Sequence, residues 1–504
     1  CIRDRLTLER LRRRELVEPT AFTWGGEPLH RFHHVLIRDA AYRRLLKRTR
    51  ADLHLRIGEW TEHTATGEPG EHEVAVAHHF EQAHEYRRQL DDVDESMAAV
   101  GRRAAELLGV AAERSLERDD LPAAGALAER ALARLDGGDP MLPSMLVVAA
   151  EALLGLGDVA RGRPVVDRLA EVVADDERMV PWAEAFSAQL TMLTEPDRLH
   201  DAEQRADRAA DRLDALDDRS GVAKARLVRA GALARLGRVG RCEAELDEAL
   251  SAARAADDRR RIAAVLGAAP HAALWGPSPI PRAGGRCLDV IRLLRITTGS
   301  PAVEATSVRC QAVLEALRGR FDTARTMLAA SRATVEELGL RHALNETDLY
   351  AGIVELLAGD PVAAEGPLRE AHRGLGRLGI GADAGQAAAH LARSVLQQGR
   401  VEEAEALAAE SADLAGENPQ TVIGAHAARA EILSARGRHD EALEAARHAV
   451  AAAEGTDIIV DHAAASAVLA RVAALAGDEA MAETAARVAA DLYEQKAATI
   501  AGSH

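Results

Sequence analysis

The sequence predicts an all-α superhelical solenoid of about ten helix pairs, preceded by a small segment of different character. Three observations predict it. Hydrophobic residues make up 47% of the 504, yet aromatics only 3%, so any core must be built from Ala, Leu and Val. Side chains that small let helix backbones come close together. From about residue 100 onward, glycines recur at intervals of about forty residues or twice that, each ahead of a run with helical periodicity. The first sixty residues carry a net charge of roughly +6 in a chain whose total is −17, which marks a separate domain.

The repeat can be followed residue by residue. In Arg436-Gly437-Arg438-His439-Asp440-Glu441-Ala442-Leu443, a glycine ends one helix, a short polar turn follows, and an amphipathic helix begins. Comparable pivots stand at Gly157, Gly237, Gly319, Gly359, Gly399 and Gly477. Five residues after each pivot comes a small side chain, for example Gly162, Cys242, Ala324, Ala364, Ala404 and Ala442. Nine and twelve residues after come positions such as Leu368 and Ala371, or Ala446 and Ala449. Those offsets share one helical face, and a bulky residue at the first would force paired helices apart. Asp119, Asp197 and Ser278 serve as degenerate pivots with the same small residues behind them, which completes about ten pairs. One stretch interrupts the rhythm: three prolines in Trp275-Gly276-Pro277-Ser278-Pro279-Ile280-Pro281. It reads as a loop and a weak joint, with Trp275 either a ligand anchor or a cover for a neighbouring helix.

The small–large–small pattern over roughly residues 98–495 resembles the tetratricopeptide repeat, in an elongated variety with its early Trp and Tyr positions mostly lost. The resemblance implies a right-handed tetratricopeptide-like superhelical solenoid, whose concave face takes a protein or small-molecule effector.

Ahead of it, Asp4–Glu15 reads as a helix and Leu16-Val17-Glu18 as a strand. A turn at 23–28 follows, with a second strand at 29–34 and helices over 35–46 and 48–63. Helix, hairpin, helix is the closing part of a winged-helix domain. The expected organisation is therefore a winged-helix-like segment at 1–63, a helical connector at 64–97, and the repeat solenoid at 98–504. The run Arg31-Phe32-His33-His34-Val35-Leu36-Ile37-Arg38-Asp39-Ala40-Ala41-Tyr42, with Arg50-Ala51-Asp52-Leu53-His54, resembles a segment of bacterial signal-transducing ATPases of the STAND type. In that family the segment follows a P-loop module and precedes a helical array. Many members carry a class III adenylate or guanylate cyclase; others are similar to the maltose-regulator type and end in a DNA-binding helix-turn-helix. His78-His79-Phe80-Glu81-Gln82-Ala83 matches the helix that opens such arrays, and Leu492-Tyr493-Glu494-Gln495-Lys496 resembles the cyclase-linked ending. The resemblance also implies a histidine near the nucleotide phosphates, which by motif position is His33 or His34. The alternative use of both is to finish a strand and pack at its end.

Other chemistry is missing from the sequence. It has no GxxxxGK[ST] loop and no GxSxG elbow. His72-Glu73 opens like a zincin motif, but Val76 stands where the second His is needed, and no metal site is expected. The remaining histidines read as dispersed and the carboxylates as solvated repeat surface. Arg10, Arg12, Arg13 and Arg14 read as a salt-bridged helix face more readily than a nucleic-acid contact. Scattered cysteines and the lack of any run near the ~18 to 20 apolar residues of a membrane span fit a cytoplasmic setting. Cys at position 1 suggests a chain taken from the middle of a longer protein.

The expected function is a non-catalytic sensor and protein-interaction arm of a multidomain ATP-dependent signalling protein, with a nucleotide cyclase as output. No cofactor is expected in this segment, with ATP or ADP and Mg in the parent. The alternatives are the inducer-sensing region of an ATP-dependent transcriptional regulator, whose DNA-binding domain lies outside this chain, and a stand-alone scaffold.

Overall fold

The computed structural model describes residues 2–24, 27–64, 72–297 and 299–499. They divide into two compact units, residues 1–115 with 123–149, and 116–122 with 150–504.

In the first unit, α1 (Ile2–Arg13) leads into an antiparallel hairpin of β1 (Val17–Trp24) and β2 (Glu27–Phe32). Val17 stands opposite Phe32, and the register shifts between Pro19 and Thr23. Helices α2 (Val35–Arg43), α3 (Lys47–Thr64) and α4 (Glu73–Arg88) follow. The elements come in the expected order, and the first strand runs further than the three residues expected. The α3 and α4 helices touch closely because Gly58 has no side chain: a Cβ there would lie 2.6 Å from Phe80 Cε1. His79 packs among neighbouring helices. Its Nδ1 is 2.8 Å from His54 Nδ1, while Tyr42 bridges His54 and Tyr86 at 2.8 and 2.9 Å.

From α5 (Glu95–Glu117) onward the helices follow one another as ten pairs. The first four pairs comprise α5 with α6 (Leu121–Leu132), α7 (Leu142–Gly155) with α8 (Val159–Val172), α9 (Val180–Thr194) with α10 (Leu199–Ala215), and α11 (Arg219–Arg235) with α12 (Val239–Ala255). Then come α13 (Arg259–Trp275) with α14 (Ile280–Thr297), α15 (Pro301–Ala316) with α16 (Phe321–Glu337), and α17 (Arg341–Leu357) with α18 (Pro361–Leu378). The last three are α19 (Gly381–Gln397) with α20 (Val401–Ala415), α21 (Pro419–Ala435) with α22 (His439–Glu454), and α23 (Ile459–Ala476) with α24 (Glu479–Lys496). The chain is an all-α superhelix of tetratricopeptide-like pairs.

The pivots do what their chemistry demands. Gly157, Gly237, Gly319, Gly359, Gly399, Gly437 and Gly477 all have φ between 70° and 83°, and the degenerate pivot Asp119 has 62°. The residue after each closes a six-residue turn, as Asp158 N–H does to Leu153 C=O at 2.9 Å and Asp478 N–H to Ala473 C=O at 2.9 Å. Asp158, Asp360 and Asp478 then accept a backbone N–H from the first turn of the next helix. A Gly-Asp dipeptide thus ends one helix and starts another. Behind the pivots the small-residue face is buried, even in the degenerate units: Ala202, Ala206 and Ala209 in α10, Ala283 and Cys287 in α14. The exception is α24, where Ala482 is half-buried and Ala486 exposed, since no further described helix covers it. Close approach is enforced elsewhere too. A Cβ on Gly352 of α17 would sit 2.3 Å from Leu368 Cγ of α18.

Two expectations need correction. The proline-rich interruption is a turn of four residues, 276–279, between α13 and α14. Pro281 lies in the first turn of α14, where a missing N–H costs nothing, so it is part of the helix. The α23 helix is long and apolar enough to pass as a membrane span by length and composition, with mean hydropathy 1.5. It packs here between α22 and α24, and Arg471 from it pairs with Glu431 of α21.

Winding brings distant pairs of the second unit back into contact. Asp457 accepts the N–H groups of Val239 and Gly240 at 2.6 and 2.7 Å, across 218 and 217 residues. Glu417 accepts the N–H of His200 at 2.9 Å, also 217 residues away. Lys496, fully buried, reaches the carbonyls of Ala273, Leu274 and Gly276 at 3.4, 2.6 and 2.6 Å. About five pairs therefore complete one turn, and the Trp275–Pro281 turn sits under a clamp instead of forming a loose joint. Replacing Lys496 by Met leaves three buried carbonyls without their donor, a loss of about 1–3 kcal/mol. Amide exchange over residues 272–281 is then expected to speed up about tenfold or more. Unchanged exchange in that variant would show that the clamp contributes nothing.

Candidate functional site

In the second unit, first helices of the pairs, α11, α13, α17 and α19 among them, line a common inner space, and their inward stripe follows the other set of left-handed turns. Asp217, Asp257, Gly339 and Gly379 precede α11, α13, α17 and α19 with φ of 56°, 51°, 68° and 74°. Seven residues after them stand Lys224, Ala264, Glu346 and Gln386; eleven after, Val228, Ala268, Tyr350 and His390. His271 and Arg393 occupy the fourteenth place, Arg235 and Trp275 the eighteenth. Because the superhelix winds tightly, these stripes, His390 and Arg393 excepted, line a cavity of about 460 Å³ within the second unit.

Two polar clusters face each other across it. In one, Lys224 Nζ donates to Gln189 Oε1 at 2.6 Å and to Glu151 Oε1 at 3.3 Å, and lies 4.3 Å from the Phe186 ring centroid. Arg261, completely buried, stands 2.8 Å from Glu151 and 5.3 Å from the Trp182 ring; Arg260 stands 3.5 Å from Glu151. Burial pulls the Lys224 pKa down to about 8 despite the attraction of Glu151. For Glu151, burial acts upward, but Arg261, Lys224 and Arg260 outweigh it and hold the carboxyl well below its ordinary range.

In the other cluster, Arg309 donates to Glu346 at 2.8 Å and to His271 Nε2 at 3.3 Å. The opposite ring nitrogen of His271 meets the Tyr350 hydroxyl at 3.2 Å, and Trp275 Nε1 donates to that same hydroxyl at 3.2 Å. Arg235 and His342 pair with Asp383 at 3.1 and 3.4 Å. Burial lowers His271 to about 4, so it is neutral near pH 7. For His342 burial acts downward too, yet Glu346 and Asp383 together hold its pKa above the ordinary value. Burial would raise Asp383, but Arg235 and His342 bring it to about 2. Between the clusters the wall is apolar, with Leu154, Met192, Leu227, Val228, Val239 and Ile458.

The residues singled out from sequence fall in two places. Trp275 ends α13, lines this cavity half-buried, and joins the network through its indole N–H. His33 and His34 are exposed in the first unit. His34 Nδ1 caps α2 by accepting the Leu36 N–H at 3.1 Å, and His33 lies 3.6 Å from Glu18. Around them Phe32, Val35, Leu36 and Leu46 are exposed apolar side chains. The reading of carboxylates as solvated surface fails for Glu151, Glu346 and Asp383, and His271 and His342 are brought together, not dispersed. Their spacing after the left-handed turns was a usable signal. Among the described residues, no group of three or more His, Cys, Asp or Glu side chains is placed to hold a metal ion.

No family model and no curated protein matches the chain. Among solved structures it is similar to a Rap protein complexed with competence and sporulation factor, at 13% identity and a TM-score of 0.43, over 78% of this chain and 98% of that one. It is also similar to the Cut9–Hcn1 hetero-tetramer of the APC/C, at 14% and 0.47, over 90% and 85%. A third is BtubC from P. vanneervenii, at 17% and 0.32, over 45% and 94%.

The histidines set a pH dependence. His271 is neutral when folded down to about pH 4, whereas the unfolded chain protonates it near 6.5, so stability falls as pH drops from about 6.5 towards 4. The shift amounts to roughly 3–4 kcal/mol at about 1.4 kcal/mol per unit. His342 acts in the opposite sense: its stabilisation is full below about 6.5 and is lost as pH rises through its raised value. Denaturant unfolding at pH 7 and 4.5 is expected to show a smaller acid loss in His271→Gln than in the parent chain. An equal loss in both would remove His271 as the cause.

Proposed function

We propose that this chain is the sensor and docking arm of a multidomain ATP-dependent signalling protein, in which an effector held on the inner face biases the nucleotide state of an ATPase module. The output is a class III nucleotide cyclase, and the ATP or ADP and its Mg belong to that parent. The observation that carries the sensing role is the inner cavity itself. An array that served only as a spacer would fill its inner face with Ala and Leu, whereas burying unneeded ions is costly. Here Lys224, Arg235 and three carboxylates line a largely apolar space large enough for a small molecule, with Arg260, Arg261 and Arg309 paired to the carboxylates from behind. Trp275 is the anchor in this reading, since its ring walls the cavity.

The ATPase link is supported by the run from Arg31 to Tyr42 and by the surface it makes. His33 and His34 stand exposed among apolar neighbours, as a pair would if another module covered them. One of the two then reports on the nucleotide phosphates, donating a ring N–H to them. The fold itself sets no chemistry, so the reading is tested on the gene and on the parent protein.

Sequencing the gene across both ends comes first. A P-loop module ahead of this region is the expected result; a start codon directly before Cys1 would sink the switch. In the parent, His33→Ala or His34→Ala is expected to speed ADP release about tenfold, worth about 1.4 kcal/mol. Release at the parent rate in both variants would remove the nucleotide-sensing role.

A further inference from the structure

We infer that the inner cavity takes a small amphipathic organic acid, with its carboxylate on the polar cluster around Tyr350 and its apolar body against the Leu154–Met192 wall. The inference rests on the sensing role proposed above and names the ligand class for it.

The charge balance points one way. Side chains that line the cavity, or are ion-paired to those that do, comprise the cations Lys224, Arg235, Arg260, Arg261 and Arg309. Against them stand only Glu151, Glu346 and Asp383. A buried surplus of positive charge is stabilised by an anion far more than an exposed one, because little water screens it.

The donor inventory points the same way. Arg309 donates to His271 Nε2, so that nitrogen must be the acceptor and Nδ1 must carry the proton. His271 Nδ1 therefore donates to the Tyr350 oxygen, as Trp275 Nε1 does. Both lone pairs of the hydroxyl are taken, and its own O–H is left to donate. Tyr350 is almost completely buried, yet it lines the cavity, so that proton points to whatever occupies the space. On the far side, the fully buried Arg261 stands behind the wall, 2.8 Å from the lining carboxylate Glu151. The free O–H of Tyr350 is the complement of a carboxylate and the wrong complement for an ammonium group. The apolar wall between the clusters adds a preference for a hydrocarbon body, worth about 25 cal/mol per Å² buried. Arg235, Gln189 and Trp275 keep partial exposure, so the space communicates with solvent.

The probes are decanoate, decanol and decylammonium, which share a chain and differ in head-group charge. Binding is followed by Trp fluorescence on the full chain, with Trp275→Phe to assign the signal, and by titration calorimetry. Decanoate is expected to bind saturably, with decanol and decylammonium at least about tenfold weaker. Tyr350→Phe is expected to weaken decanoate at least about fivefold; Arg235→Gln gives a second arm if the first variant loses helicity. Decanol or decylammonium binding as tightly as decanoate would overturn the carboxylate assignment and leave the cavity as a sensing site. Decanoate affinity unchanged in both folded variants would overturn the site. Binding of none of the three would overturn the small-ligand cavity, leaving partner docking as the only form of the sensing role.

Discussion

How closely consecutive helices can approach decides almost everything else in this protein. Alanine and glycine on the second helix of each pair, together with a left-handed residue at nearly every turn, draw the pairs together and rotate each against the last. The rotation is large enough that some five pairs close a turn and contact the next one, as the bonds from Asp457 and Lys496 show. A looser array made of the same helices would present an open groove. With this winding, the inner face becomes an interior, and whatever side chains it carries are taken out of water.

That consequence explains the pairing of the inner ions. Glu151 is held by Lys224 and Arg261, Asp383 by Arg235 and His342, Glu346 by Arg309, and Glu431 by Arg393 at 2.9 Å and by Arg471. Such pairs gain little over well-packed hydrocarbon, because desolvation opposes the Coulombic attraction. Away from the cavity, what the pairs of Glu431 fix is register. Arg393, Glu431 and Arg471 lie on three successive first helices, so a helix that slipped by one turn would strand a buried charge. The apolar faces set how near the helices come, and the ions set how they are aligned.

Much of the fold was legible because its determinants are local. Gly-Asp at a helix junction is recognisable from sequence, since glycine accepts positive φ and aspartate caps the helix that follows. Small residues at fixed offsets behind it are equally visible, and they mark the degenerate repeats as well as the regular ones. The cavity was not legible in the same way. Its residues sit on the other helix of each pair, counted from Asp217, Asp257, Gly339 and Gly379, and a carboxylate there looks like any surface carboxylate. Whether Arg235 meets Asp383, 148 residues later, depends on the angle of winding accumulated over four pairs. Local pattern fixes each step of that angle only approximately. Trp275 was noticed for its setting among prolines, whereas what places it in the cavity is its position eighteen residues after Asp257.

The α13 helix ties the interior to the closure. Its inward side carries His271 and Trp275, and its last turn offers the carbonyls that Lys496 holds from 220 to 223 residues away. Burial lowers the Lys496 pKa to about 8, so its amine is bound tightly as a donor yet is costly to keep charged. The contact therefore sets a strong group of hydrogen bonds against a desolvation penalty. An occupant of the cavity that displaces the end of α13 must stretch those bonds, and one that seats it more firmly must shorten them. Either response can shift the closure only by the difference in affinity between its two arrangements. Anything seated in the cavity would thus act on the closure without any long-range wire, because one helix belongs to both.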